Sequence, residues 1–103
     1  MDYSQLSDRD IDAQVLHKIY GNQANDKDIM RAWLRGGFKY TANPADAWTI
    51  ISENKINIEW HEWKGGDFRP YALNSASMKS AYDSNPLRAA MIVFLMMQEQ
   101  GNT

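Results

Sequence analysis

The sequence predicts a small α+β domain, with two to three main helices packed on an antiparallel β-hairpin or small sheet and the C-terminal helix at the centre. Three observations carry this expectation. Asn85-Pro86 is a helix start signal, and nine apolar residues without a polar break follow it, Ala89 to Met97. An amphipathic surface helix would interrupt such a run every second or third residue, so this helix, about 86 to 99, is expected to be buried nearly all round. The Asn-Pro device recurs at Asn43-Pro44 and predicts another helix. Finally, Ile56–Trp63 and Phe68–Leu73 flank Gly65-Gly66 with strand-like alternation, the mark of a hairpin.

Taken in order, Ser7-Asp8-Arg9-Asp10 is a capping-box-like start with carboxylates in the first turn. Ile11, Val15, Leu16 and Ile19 keep helical spacing, and Gly21 stands where a C-cap glycine is expected, so the first helix spans roughly 8 to 20. Asn22 to Asp28 is polar and reads as a loop. Ile29 to Leu34 suits a short helix that Gly36-Gly37 would end quickly; residues 22–41 leave helix, strand and loop all open. In the helix begun by Asn43-Pro44, Asp46 stands at the third position, Ala47, Trp48, Ile50 and Ile51 continue it, and Asn54 is placed to close it in a left-handed conformation. The two uses of one capping device are not an internal repeat, because nothing else matches at that offset.

For the hairpin, a two-residue Gly65-Gly66 turn of primed type sets Lys64 against Asp67. Trp63 then faces Phe68, Glu62 faces Arg69, His61 faces Pro70, Trp60 faces Tyr71 and Ile58 faces Leu73, and each pair is chemically sensible. That register places Ile58, Trp60, Tyr71 and Leu73 on the core side, with Glu62 and Arg69 at its rim. Asn57, Glu59 and His61 lie on the other face, which ends in an aromatic pair of Trp63 and Phe68. Pro70, unable to donate, marks the returning strand as a sheet edge.

A chain of 103 residues fits one domain spanning 1–103. The formal net charge of −2 argues against a protein built to coat nucleic acid. Zero cysteines exclude disulfides, thiolate metal sites and a cysteine nucleophile together. The opening Met1-Asp2-Tyr3-Ser4-Gln5 is acidic and polar where a signal peptide would be basic and then apolar. The nine-residue apolar run makes only about 14 Å of helix, so no membrane span is expected and the chain reads as soluble and intracellular.

Catalytic and ligand-binding signals are sparse. His61 shares its face with Glu59 but not with Glu62, so no metal site is assigned. His17 reads as a boundary residue of the first helix. None of the serines sits in a nucleophile-elbow pattern, and neither glycine pair forms a phosphate-cradling loop. Met91, Met96 and Met97 read as core filler. Two surface candidates are left. Trp63 and Phe68 at the hairpin tip, with His61 beside them, suit an anchor for a protein partner. Lys27, Arg31, Trp33, Arg35 and Lys39, followed by Tyr40, interleave cations with aromatics as single-stranded nucleic-acid sites do.

Three separated motifs resemble the phage NinX family, small proteins of lambdoid phages and prophages. They are Met1-Asp2-Tyr3-Ser4-Gln5-Leu6-Ser7-Asp8, Asn43-Pro44-Ala45-Asp46-Ala47-Trp48 with Ile50-Ile51 and Glu53-Asn54, and the run from Asn85 to Met97. Asn22 to Lys39 does not share the likeness. The resemblance implies a phage or prophage accessory protein made in the bacterial cytoplasm. It brings no activity, cofactor or catalytic residue, and its motifs coincide with caps and core positions.

The leading expectation is therefore a non-enzymatic module that binds a host or phage protein, without cofactor or membrane, as a monomer or as a homodimer seamed by part of the apolar run. The alternative is a nucleic-acid-associated factor acting through residues 27–40. An enzyme built from scattered acids and His61 ranks third.

Overall fold

The computed structural model describes residues 2–100. Its elements follow local chemistry closely where a cap is present. Helix α1, Asp8–Tyr20, begins where the Ser7 hydroxyl accepts the Asp10 N–H at 3.1 Å and ends at Gly21, φ 57°. A 3-10 turn, Gly21–Asn25, leads directly into α2, Lys27–Leu34, so the stretch expected as loop is mostly helical and the ambiguous one is a helix. Helix α3, Pro44–Glu53, is capped by Asn43, whose side chain accepts the Ala45 N–H at 2.9 Å.

The end of α3 differs from expectation by one residue. Asn54 keeps a right-handed backbone and its amide donates to the Ile50 carbonyl at 2.8 Å, while Lys55 takes the positive φ of 53°. The Lys55 and Ile56 N–H groups then return to the Ser52 and Ile51 carbonyls, the paired bonds of a Schellman closure.

Strands β1, Asn57–Glu62, β2, Phe68–Asn74, and β3, Lys79–Tyr82, form an antiparallel sheet in the order β1-β2-β3. The hairpin register is shifted by one residue from the sequence reading. Glu62 faces Phe68, His61 faces Arg69, Trp60 faces Pro70, Glu59 faces Tyr71 and Ile58 faces Ala72. The cause is the turn. Lys64–Gly66 forms a three-residue 3-10 turn in which Gly65 and Gly66 both take positive φ, and the Trp63 N–H donates to the Asp67 carbonyl at 2.6 Å. One additional loop residue exchanges every pairing and turns the returning strand over. Tyr71 and Leu73 therefore share the outer face with Asn57, Glu59, His61 and Trp63, and Phe68 joins Pro70 and Ala72 on the inner one.

Nor is β2 an edge. It is the central strand, and Pro70 instead limits its pairing with β3. The Asp83 N–H reaches the Pro70 carbonyl at 3.3 Å, but proline has no N–H to return, and β3 ends at Tyr82.

Helix α4, Pro86–Gln100, packs on the inner face against β2 and β3 and is flanked by α1 and α3. Phe94 and Leu95 project from different sides and are 6% and 0% exposed, so the helix is surrounded as expected. Most of the apolar run is consumed inside the domain: Ala89 to Leu95 are buried, and Met96 and Met97 are half-buried against the same core. Beneath it the sheet offers small side chains, Ala72 facing Ala81.

Arg88 fastens the start of the chain to this helix. Its guanidinium donates to Asp83 at 2.9 Å, Asp8 at 2.7 Å and the Leu6 carbonyl at 2.7 Å, with a further bond to Ser4. The Tyr3 hydroxyl donates to Glu99 at 2.5 Å, and burial together with that carboxylate pushes its pKa up. Among the described residues no helix is long and apolar enough to cross a membrane.

Candidate functional site

The inner face of the sheet continues past α4 at the turn end of the hairpin. Pro70 and Ala72 are buried there, yet Trp60, opposite Pro70, and Phe68, opposite Glu62, are each 58% exposed. These two are diagonal neighbours on one face, close enough for large rings to share a patch. Trp63 is not paired with Phe68. It closes the turn opposite Asp67, projects from the outer face and is 44% exposed. The hairpin end thus presents rings on both of its faces, which the correct loop length reveals and the shorter turn conceals.

On the outer face the aromatic side chains of this region close on one another. His61 stacks on Tyr71 at 4.6 Å, Tyr71 meets Tyr82 at 4.5 Å, and Trp63 stands edge-on to Tyr82 at 5.4 Å. The Arg69 guanidinium lies 4.7 Å from the Trp63 ring centroid, a cation–π contact. His61 Nδ1 is 2.6 Å from the Tyr82 hydroxyl and Nε2 is 3.0 Å from Glu59. A neutral imidazole satisfies both, donating from Nε2 to the carboxylate and accepting the tyrosine proton at Nδ1. His61 is therefore tied into this cluster rather than standing free, and Tyr82 touches both it and Trp63.

The cations of the middle segment are arranged differently from its aromatics. Lys27, Arg31 and Arg35 follow one another at four-residue spacing along the exposed side of α2, and Lys39 is exposed beyond it. Trp33 is covered by Arg9, whose Cζ sits 3.3 Å from its ring centroid, and Tyr40 is in the core. The same Arg9 donates to the Trp33 carbonyl at 2.9 Å and lies 3.5 Å from Asp12, a buried carboxylate that accepts the Thr41 N–H at 2.9 Å. Both rings that would stack on bases are committed to holding residues 33–41 against α1.

Sequence reasoning missed Trp60 as a surface residue, because it assigned the whole inner face to the core, whereas the turn end of that face is left exposed. It also missed Arg9, Asp12 and Arg88. For Arg88 there was a signal: a lone cation at the mouth of a long apolar run needs anions and carbonyls brought from elsewhere in the chain.

A family model described as Bacteriophage P22, NinX, matches residues 2–98. No curated protein and no solved structure matches the chain.

Proposed function

From its membership of the Bacteriophage P22 NinX family, which makes the chain a phage accessory protein, we propose that it acts by binding a protein of the phage or its host in the bacterial cytoplasm, and that the turn end of the hairpin is the binding element. One observation carries this reading. On the sheet face that buries Pro70 and Ala72, Trp60 and Phe68 are left more than half exposed. Exposed aromatic groups of this kind mark interaction sites, and such anchors are often worth at least about 2 kcal/mol each to a complex. Trp63, on the far side of the same ribbon, gives a partner a second ring to grip, stiffened by Arg69 and Tyr82. The basic row on α2 gives no comparable support to nucleic-acid binding, since Trp33 and Tyr40 are not available to stack.

Affinity capture from phage-infected cell lysate, with and without nuclease, tests the reading. The parent chain should retain a discrete protein after nuclease treatment, and Trp60→Ala combined with Phe68→Ala should lose it while melting within about 2 °C of the parent. Retention of the same protein by the double variant, or capture that vanishes with nuclease, overturns it.

A further inference from the structure

The two edges of the sheet differ. In the order β1-β2-β3 the outer strands are β1 and β3. Strand β3 has four residues, opens with Lys79 and packs against α4, and shortness, an edge lysine and a covering helix all keep other chains from pairing. Strand β1 has six residues and contains no lysine, arginine, proline or glycine. Its register shows which backbone groups are free. Trp60 faces Pro70, which has no N–H, and the Trp63 N–H donates to the Asp67 carbonyl. Antiparallel pairing alternates hydrogen-bonded with non-bonded pairs. Asn57, Glu59 and His61 therefore bond to β2, while the N–H and C=O of Ile58, Trp60 and Glu62 point away from it. Among the described residues no hydrogen bond takes these groups.

A row of donors and acceptors at strand spacing is matched by the backbone of another extended segment. The side chains of β1 say what that segment carries. Trp60, 58% exposed, offers an apolar contact on the inner face. Glu62 on that face and Glu59 on the outer one are both exposed. Among the described residues Glu62 makes no ion pair or hydrogen bond, and only one oxygen of Glu59 is engaged, by His61. The edge is acidic, and across a strand pair opposite charges stabilise while like charges destabilise. A second copy of β1 fits poorly, since the two strands would gather their glutamates with no lysine or arginine in either.

We propose that the open edge of β1 takes a basic, extended segment of the partner protein as a fourth, antiparallel strand. The inference rests on the hairpin-end reading and adds to it how the partner is held. A cation of the segment stands opposite Glu62, an apolar residue two positions later stands opposite Trp60, and the next residue is a cation opposite Glu59. The backbone bonds supply affinity, and these side chains supply specificity. The segment lies beside Trp60 on β1, so the strand and the exposed ring are read by one partner.

Nuclear magnetic resonance titration of the intact chain with synthetic peptides tests this. The first peptide is Thr-Arg-Thr-Val-Arg-Val-Thr, the second replaces both arginines by glutamate, and the third is the first with its central valine N-methylated. Saturable shifts from Ile58 to Glu62, with slowed exchange of the Trp60 and Glu62 amides, are expected with the first. The N-methyl group removes the donor aimed at the Trp60 carbonyl and should weaken binding about tenfold. Glu62→Lys changes an exposed side chain without a partner among the described residues, so it should fold normally and bind the first peptide about fivefold more weakly. Absence of saturation up to about 5 mM, equal binding of the glutamate or N-methylated peptide, or a dimer joined through β1 in sedimentation overturns the proposal. A saturating amount of the first peptide should also displace the partner captured from lysate. A partner that stays bound, yet is lost by Trp60→Ala with Phe68→Ala, leaves the aromatic end as the binding element and removes the edge. A partner that the double variant retains removes both readings.

Discussion

Two ends of one sheet face are built on opposite principles. Beneath α4, Ala72 and Ala81 face one another, and their small side chains let a helix lie close to the strands. Toward the turn the same face carries Trp60 and Phe68, each more than half exposed. The larger apolar side chains are therefore at the uncovered end. An apolar face becomes core only where another element is long enough to reach it, and here the reach of α4 sets that boundary. Each exposed ring leaves on the order of 100 Å² of apolar surface in water, about 2.5 kcal/mol of burial that folding does not use and association can.

Substitutions on the two sides of the boundary should separate sharply. Phe94→Ala, inside the covered region, should cost about 3–5 kcal/mol, a large part of a small domain's stability. Chemical denaturation reads this directly, and a loss under about 1 kcal/mol would mean that α4 is peripheral. A second probe works in the opposite sense. Ala72→Leu adds volume where α4 sits on the sheet and should cost about 1–3 kcal/mol through overpacking. If it proves neutral, the small residues are not what sets the spacing between helix and sheet. At the free end, Phe68→Ala should stay within about 0.5 kcal/mol of the parent in the same assay. A loss comparable to that of Phe94→Ala would show that the hairpin end belongs to the core and would remove the basis for a binding surface there.

Features governed by neighbours in sequence were readable in advance. Ser7 and Asn43 cap the helices they were expected to cap, because a side-chain oxygen two or three residues from an orphan N–H finds it whatever the tertiary fold. The apolar run from Ala89 likewise announced a surrounded helix. The hairpin register was not readable in this way. Opposite charges at Glu62–Arg69 and Lys64–Asp67 favour the two-residue turn, while adjacent glycines admit the three-residue one, and only the backbone decides between them. Strand β3 escaped notice because Lys79–Tyr82 is short and follows Met78, a non-glycine residue at φ 61° that gives no turn signal. Of the candidate surface, Trp63 and Phe68 were singled out as aromatics at the hairpin tip with their exposure left open, and their placement on opposite faces and the company of Trp60 depended on that register. Arg9 and Asp12 act between segments far apart in sequence, so pattern alone could not assign them.

The position of α4 in the chain has a consequence for synthesis. A ribosome making this protein completes α1, α3 and all three strands before the helix that they enclose. Until α4 emerges, the inner side of the sheet has no cover, and the carbonyls of Ser4 and Leu6 wait for a guanidinium that lies more than eighty residues downstream. Long-range closure of this kind makes folding late and cooperative, with little stable structure on the growing chain. A transcript or chain cut short before Arg88 should therefore yield a sticky fragment that proteases clear, rather than a partly working protein.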